Sequence, residues 1–282
     1  MQLSDLNPVG RIFGMAKGEN GTGKSIALAS FALLGPVYFA FAEPRFRSLL
    51  TYYGRYLPRV RPDLKEDCDK IVANISYDYF PTYSPLEEKL KNLKDYCPYR
   101  FVFVESMTSI CEHSIQQTFD LKPNKGKKVG QIRVTDVEHY SAEFSGLMDL
   151  LYLTLQIQAH VFWTGHVITY DQPRLNAPAI VHRTLVARGK KVGPTMAGYF
   201  DEYWHFQVDT DGTYVMITKP EGEDAAKTSL DLPQRITWGN DIFARRLFDY
   251  YPERFWPQVT KEMMPSVELT DEHGAVISSS EY

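Results

Sequence analysis

The residues best suited to chemistry are Gly18-Glu19-Asn20-Gly21-Thr22-Gly23-Lys24-Ser25, which fill the pattern G-x-x-x-x-G-K-[ST] of a phosphate-binding loop. Glycines let such a loop curl until successive backbone N–H groups point inward at phosphate oxygens. Lys24 supplies a point charge for the β- and γ-phosphates, and the Ser25 hydroxyl is placed to ligate Mg²⁺. Ile26 begins the helix whose positive end lies under the anion. Gly18 to Ile26 are the expected nucleotide contacts, with ATP and Mg²⁺ as the expected ligands, although the pattern does not separate ATP from GTP. The alternative, a glycine-rich turn that fills the pattern by chance, fits less well with the flanks. Arg11 to Ala16 read as a short buried strand, and Ile26 to Leu34 as a helix stopped by Gly35 and Pro36.

Further groups stand where apolar runs end. Val37 to Ala42 is an unbroken β-prone run closed by Glu43-Pro44, and Phe101 to Val104 is another, closed by Glu105-Ser106. A third, His160 to Thr164, closes at Gly165-His166. In nucleotide hydrolases a strand-end carboxylate, usually Asp, completes the Mg²⁺ shell, and Glu105 with Ser25 is expected to do so here. A second carboxylate must orient the attacking water, which makes Glu43 the candidate catalytic residue beside Lys24. His166 is the candidate sensor of the γ-phosphate. Each has a plainer reading: Glu43 and Glu105 as helix-start carboxylates, His166 as a hydrogen-bonded structural residue.

The elements that must position these groups alternate between strand and helix, which predicts an α/β fold with a mainly parallel, helix-covered sheet. Pro44 to Leu57 are expected helical, 58–70 a charged loop, and Ile71 to Ile75 a weak strand. Ser84-Pro85-Leu86-Glu87 predicts a capped helix start, running to Tyr96. Residues 107–119 and 136–158 are expected helical, as are 240–250. Two basic segments are expected to be loops: 121–137, with Lys125, Lys127 and Lys128, and 168–195, with Arg183, Arg188, Lys190 and Lys191. They read equally as phosphate-binding loops beside the nucleotide or as solvated surface. Tyr203 to Val208 and Thr213 to Thr218 flank a turn and predict antiparallel strands added at one edge. Residues 1–235 form the expected core, 236–264 a helical extension and 265–282 an acidic, disordered tail.

Composition sets the outer bounds. A chain of 282 residues, 44% hydrophobic, can bury a large core, and a net charge of −4 argues against a generally basic nucleic-acid coat while permitting a local basic groove. Three widely spaced cysteines predict neither a disulfide framework nor a zinc site, and point to a reducing cytoplasm. No run approaches the about 20 apolar residues of a membrane span, and no secretory leader is evident.

The order Gly18–Ser25, "FAEP", "VES", "FWTGH", then a basic segment into "GYFDEYWHF", resembles the RecA-like P-loop ATPase core, over residues 10–235. It is most similar to phage-encoded RecA-like ATPases associated with single-strand annealing and recombination. The resemblance implies ATP hydrolysis with Mg²⁺, binding of single-stranded DNA, self-association into a ring or filament, no membrane, and residence in the cytoplasm, the host's if the chain is phage-encoded. It implies that Gly18 to Ser25 bind nucleotide, that Glu43 activates water and that His166 links nucleotide state to DNA binding. The segments 121–137 and 168–195 correspond by location to DNA-facing loops, and Lys190 and Lys191 to basic residues that reach a neighbouring subunit's ATP. Glu105 stands where the family usually has Asp, a departure that bears on metal affinity and turnover. A helicase-like or packaging motor, or a nucleotide-gated module with little turnover, fits the same residues.

Overall fold

Strands that are apolar at every position need cover on both faces, and the fold supplies it. The computed structural model describes residues 11–121, 127–129, 132–134, 137–174, 177–187, 192–221 and 224–251. Among them, nine strands form one mixed, mostly parallel sheet. Strands β1 (Phe13–Gly18), β2 (Val37–Phe41), β3 (Ile75–Tyr79), β4 (Phe101–Glu105), β7 (His160–Arg174) and β9 (Glu202–Val208) run parallel. Strands β10 (Tyr214–Ile217) and β11 (Arg235–Thr237) extend one edge in antiparallel pairing, giving the order β11-β10-β9-β1-β7-β4-β2-β3. The ninth, β8 (Ala177–Leu185), pairs antiparallel with β7. The expected α/β architecture is thus found, with antiparallel additions in two places rather than one.

Alternation along each strand divides the core into two layers. Phe39, Phe41, Phe101, Phe103 and Phe162 point to one face, where they meet α1 (Lys24–Ala29), α4 (Lys65–Ala73) and α9 (Phe243–Phe248). Tyr38, Ala40, Val102, Val104, Val161 and Trp163 point to the other, against α5 (Tyr83–Asp95), α6 (Met107–Leu121) and α7 (Val137–Thr154). Phe31, just after α1, stacks at 5.0 Å on Phe101 and at 5.9 Å on Phe162, tying the first layer across the neighbouring strands β4 and β7. No helix among the described residues is long and apolar enough to cross a membrane.

Several expected boundaries change. Residues 58–70 are not a loop. Helix α2 (Arg47–Thr51) continues through a π-helical turn, Tyr52–Tyr56, into α3 (Leu57–Val60), then a short 3₁₀ turn and α4. Leu64, Cys68 and Ile71 are buried at i, i+4 and i+7, a helical line hidden in the sequence by the intervening charges. Ile71 to Ala73 end that helix, and β3 begins only at Ile75. Helix α5 starts at Tyr83 with Thr82 extended before it, and the Ser84 hydroxyl accepts from Gln117 Nε2 at 3.2 Å instead of capping.

The two expected basic loops both contain strands. Within 121–137 lie β5 (Lys127–Val129) and β6 (Ile132–Val134), paired with each other. Strand β7 does not stop at Gly165-His166 but runs to Arg174 and folds back through β8, and a short helix, α8 (Val192–Thr195), follows. Gly165 is a close-packing residue rather than a strand end: a Cβ there would lie 2.6 Å from both Leu185 Cδ2 and Met15 Cε. Lys125, Arg188, Lys190, Lys191 and the acidic tail lie outside the described residues.

A buried charge cluster joins β1 to this hairpin. Lys17, 1% exposed, donates to Asp224, which also bonds His205 Nδ1 on β9, and Arg183 Nη1 on β8 lies 3.9 Å from the same carboxylate. Burial alone would raise the Asp224 carboxyl, but the bonds from His205 and Lys17 outweigh it and hold the group below its ordinary 3.8. Its stabilising contribution is therefore complete above that value and is lost as pH falls from there through the lower folded-state value. Asp224→Asn leaves the buried Lys17 ammonium without its carboxylate partner and should lower the unfolding free energy at neutral pH by about 3–5 kcal/mol. Urea titrations should show that loss, with a shallower fall in stability below pH 4 than in the unaltered protein.

Candidate functional site

The glycine loop leaves β1 where only glycine fits. Gly18 has φ 158°, and a Cβ there would strike the carbonyl oxygen of Phe206 on β9, while Gly21 and Gly23 take φ 80°. Thr22 Oγ1 donates to the Glu19 carbonyl at 2.8 Å and closes the curl. Lys24 Nζ is folded back onto the loop, donating to the carbonyls of Gly18 at 2.9 Å and Glu19 at 2.7 Å. Burial pushes its ammonium down to about 8, against the pull of Glu105. Those carbonyls are exchangeable partners, and a phosphate anion competes for the same ammonium with a full charge.

The Ser25 hydroxyl donates to Glu105 Oε1. The contact is set by the sheet: β4 is buried along its length and delivers its last residue, Glu105, beside the loop. Burial raises the Glu105 carboxyl above its ordinary range despite Ser25 and Lys24. Its other oxygen, Oε2, is buried without a hydrogen-bond partner. An orphaned buried carboxylate oxygen beside a hydroxyl is a donor pair suited to a hard cation. Among the described residues no group of three or more His, Cys, Asp or Glu could hold a metal by itself. Any ion here would draw its remaining ligands from phosphate and water.

Glu43, just past β2, is held from every side. Its Oε1 accepts from Ser106 Oγ and Ser109 Oγ, each at 2.6 Å, and His166 Nε2 lies 3.4 Å away. Its Oε2 pairs with Arg45 Nε at 2.6 Å, and Arg45 Nη1 donates to Asn20 Oδ1 in the loop at 2.8 Å. His166, with the serines and Arg45, overrides burial and holds the Glu43 carboxyl well below the usual carboxylate range. The backbone N–H of His166 donates to Thr108 Oγ1 at 3.2 Å, while its ring Nδ1 is buried without a partner. The Glu105–Ser106 peptide is cis.

Register explains why residues so far apart meet. Gly18 pairs with His166 across β1 and β7, and Phe41 with Glu105 across β2 and β4. The chain leaves β1 and β2 toward the face carrying α1 and α4, but leaves β4 toward the face carrying α6 and α7. A crevice therefore opens at the carboxyl ends between β4 and β2, where open α/β sheets bind ligands. A pocket of about 450 Å³ lies there, lined by Asn20 to Ile26 with Arg45, Arg47, Ser48, Glu105, His166 and Tyr214.

The loop residues, Glu43, Glu105 and His166 are thus brought together as anticipated. Ile26 contributes to the wall, and its carbonyl accepts from Tyr53 Oη at 2.7 Å. Glu19 turns outward and accepts from Thr169 Oγ1 on β7 at 3.1 Å. Arg183 faces Asp224 and is not among the residues lining this pocket, and Lys127 and Lys128 stand on β5. Arg45, Ser106, Ser109 and Tyr214 were missed. The serines lie within a few residues of Glu105 and were legible as neighbours of a carboxylate. Tyr214 stacks on Trp238 at 5.6 Å with both rings against Gly23, a contact between distant segments that no local pattern announces. No protein-family model matches the chain, and no curated protein matches it either.

Since His166 is the largest influence lowering the Glu43 carboxyl, His166→Ala should raise that carboxyl toward its ordinary 4.5. Carboxyl ¹³C NMR titration reads this directly, and an unmoved Glu43 resonance would break the assignment of the contact.

Proposed function

We propose that the protein is an ATPase of RecA-like type that binds single-stranded DNA and couples hydrolysis to recombination or annealing. The observation that carries this reading is the Ser25–Glu105 hydrogen bond, with Lys24 on one side and a fully buried, singly satisfied carboxylate on the other. Strand order supports it as well. With β7 between β1 and β4, His166 stands between the glycine loop and Glu43, within reach of both events at a terminal phosphate.

In this reading ATP is the substrate, and Ser25 and Glu105 would hold Mg²⁺. The ion supplies charge neutralisation on the β- and γ-phosphates. Loop N–H groups and Lys24 grip the phosphates. Glu43 positions water in line, and its low basicity fits orientation better than outright proton removal. The water oxygen bonds to the γ-phosphorus, the bond to the bridging oxygen breaks with its electron pair leaving on ADP, and the water proton ends on inorganic phosphate. Tyr214, at the pocket rim, offers a ring to the base.

DNA binding and assembly draw on the β5–β6 and β7–β8 hairpins. The second is continuous with the strand that carries His166 and is tethered to the loop through Thr169 and Glu19. Backbone binding of this kind is electrostatic and weakens with salt. One observation favours a second reading, a nucleotide-gated module with little turnover: both Glu43 oxygens are already occupied.

Phosphate release with and without single-stranded DNA, across protein concentration, tests the proposal. Lys24→Ala should reduce release to background. Glu43→Gln should keep ATP binding and lose turnover by about 10²-fold or more. Tight ATP binding with no release, unaltered by Glu43→Gln, would favour the gated module.

A further inference from the structure

We propose that Arg45 is a cis-acting arginine that locks Glu43 until a triphosphate arrives, then moves to the γ-phosphate and stabilises its transfer. This rests on the ATPase reading above and adds to it a residue that sequence patterns assign only to a helix start.

The geometry makes the case. The Arg45 guanidinium spans two partners that flank the place of a terminal phosphate: Nε on Glu43 Oε2 at 2.6 Å and Nη1 on Asn20 Oδ1 at 2.8 Å. Asn20 belongs to the glycine loop, which holds phosphates, and Glu43 must hold the water that attacks them. A group bridging the two lies across the line of attack. It also occupies the Glu43 oxygen that water needs, because Oε1 is already taken by Ser106, Ser109 and His166. While Arg45 holds Oε2, a water accepted there must share that oxygen with the guanidinium.

Arg45 is the partner able to leave. Its side chain is 50% exposed, whereas Glu43 is only 13% exposed and Ser106 is buried. A half-exposed arginine–carboxylate pair is weak, and a guanidinium meets phosphate with two parallel charge-assisted hydrogen bonds. A γ-phosphate therefore outcompetes Glu43 and Asn20 for the fork, while a diphosphate leaves Arg45 in place. The same movement frees Glu43 Oε2 for water and brings positive charge to oxygens that gain charge in the transition state. Because Arg45 comes from the same chain, this part of the site needs no neighbouring subunit, unlike the trans-acting role the resemblance implies for Lys190 and Lys191.

The test compares the full-length protein with Arg45→Ala and Arg45→Lys, measuring phosphate release, ATP and ADP affinities, capture of ADP–aluminium fluoride, and the thermal midpoint. Arg45→Ala should lower kcat by about 10³-fold, keep ADP affinity within about twofold, collapse the preference for ATP over ADP, and lose the fluoride complex. Arg45→Lys, a charge without the fork, should recover only a small part of kcat. Turnover within about threefold of the unaltered protein, with the ATP preference kept, overturns the proposal. So does a joint loss of ADP binding and thermal stability, which would make Arg45 a prop for the Asn20 loop. If the unaltered protein binds both nucleotides without hydrolysing ATP, the ATPase reading fails on its own, and the ATP-to-ADP affinity ratio still decides whether Arg45 senses the γ-phosphate.

Discussion

The site depends on one expensive feature, the burial of the Glu105 carboxylate at the end of a strand covered on both sides. Removing an ionised carboxyl from water is costly unless charge or hydrogen bonds replace the lost hydration. Here the replacement is partial: the Ser25 hydroxyl takes one oxygen, Lys24 acts across the loop, and the second oxygen has no partner. The rest of the pocket follows from that shortfall. The loop must stay close to keep Ser25 in reach, and the register through β7, which sets Met15 and Val104 on either side of Trp163, holds the carboxyl ends of β1 and β4 near each other. A cation with a phosphate behind it would complete the neutralisation. This is the physical reason for reading the pocket as a nucleotide site rather than as a tight turn beside a structural acid.

Glu43 presents the opposite electrostatic case. It is over-satisfied, with two hydroxyls, an imidazole and a guanidinium on two oxygens. Two neighbouring carboxylates are therefore set apart by their surroundings, one raised by burial and one depressed by hydrogen bonds. A strongly stabilised carboxylate is a poor base but a rigid orienter. Rigidity is what positioning a water requires, provided that one of its bonds can be exchanged.

Legibility in the sequence tracked distance along the chain. The glycine loop, the apolar strands and the carboxylates that close them are local patterns, so Lys24, Ser25, Glu43 and Glu105 could be singled out from residue type and position as residues that meet in the fold. The elements misread were those whose burial comes from elsewhere. The charges of 58–70 hide Leu64, Cys68 and Ile71, which are buried by the core layer over α1. Gly165-His166 looked like the end of a strand because the glycine's packing partner, Leu185, lies on the returning strand. Arg45 was passed over because its meaning rests on Asn20, 25 residues earlier, and Asp224 because it answers Lys17 from 207 residues away.

The β7–β8 hairpin gains its importance from how it is anchored. One tie runs from Thr169 to Glu19 in the glycine loop, and another from Arg183 to Asp224 and so to Lys17, the residue before Gly18. Strand β7 itself carries His166 to Glu43. These ties connect the hairpin to both ends of the pocket, and they differ in strength. The Asp224 cluster is buried and resists rearrangement, while the Thr169 contact is exposed and cheap to exchange. The β7 segment from His166 to Thr169 thus touches the Glu43 carboxylate at one end and, through Glu19, the glycine loop at the other.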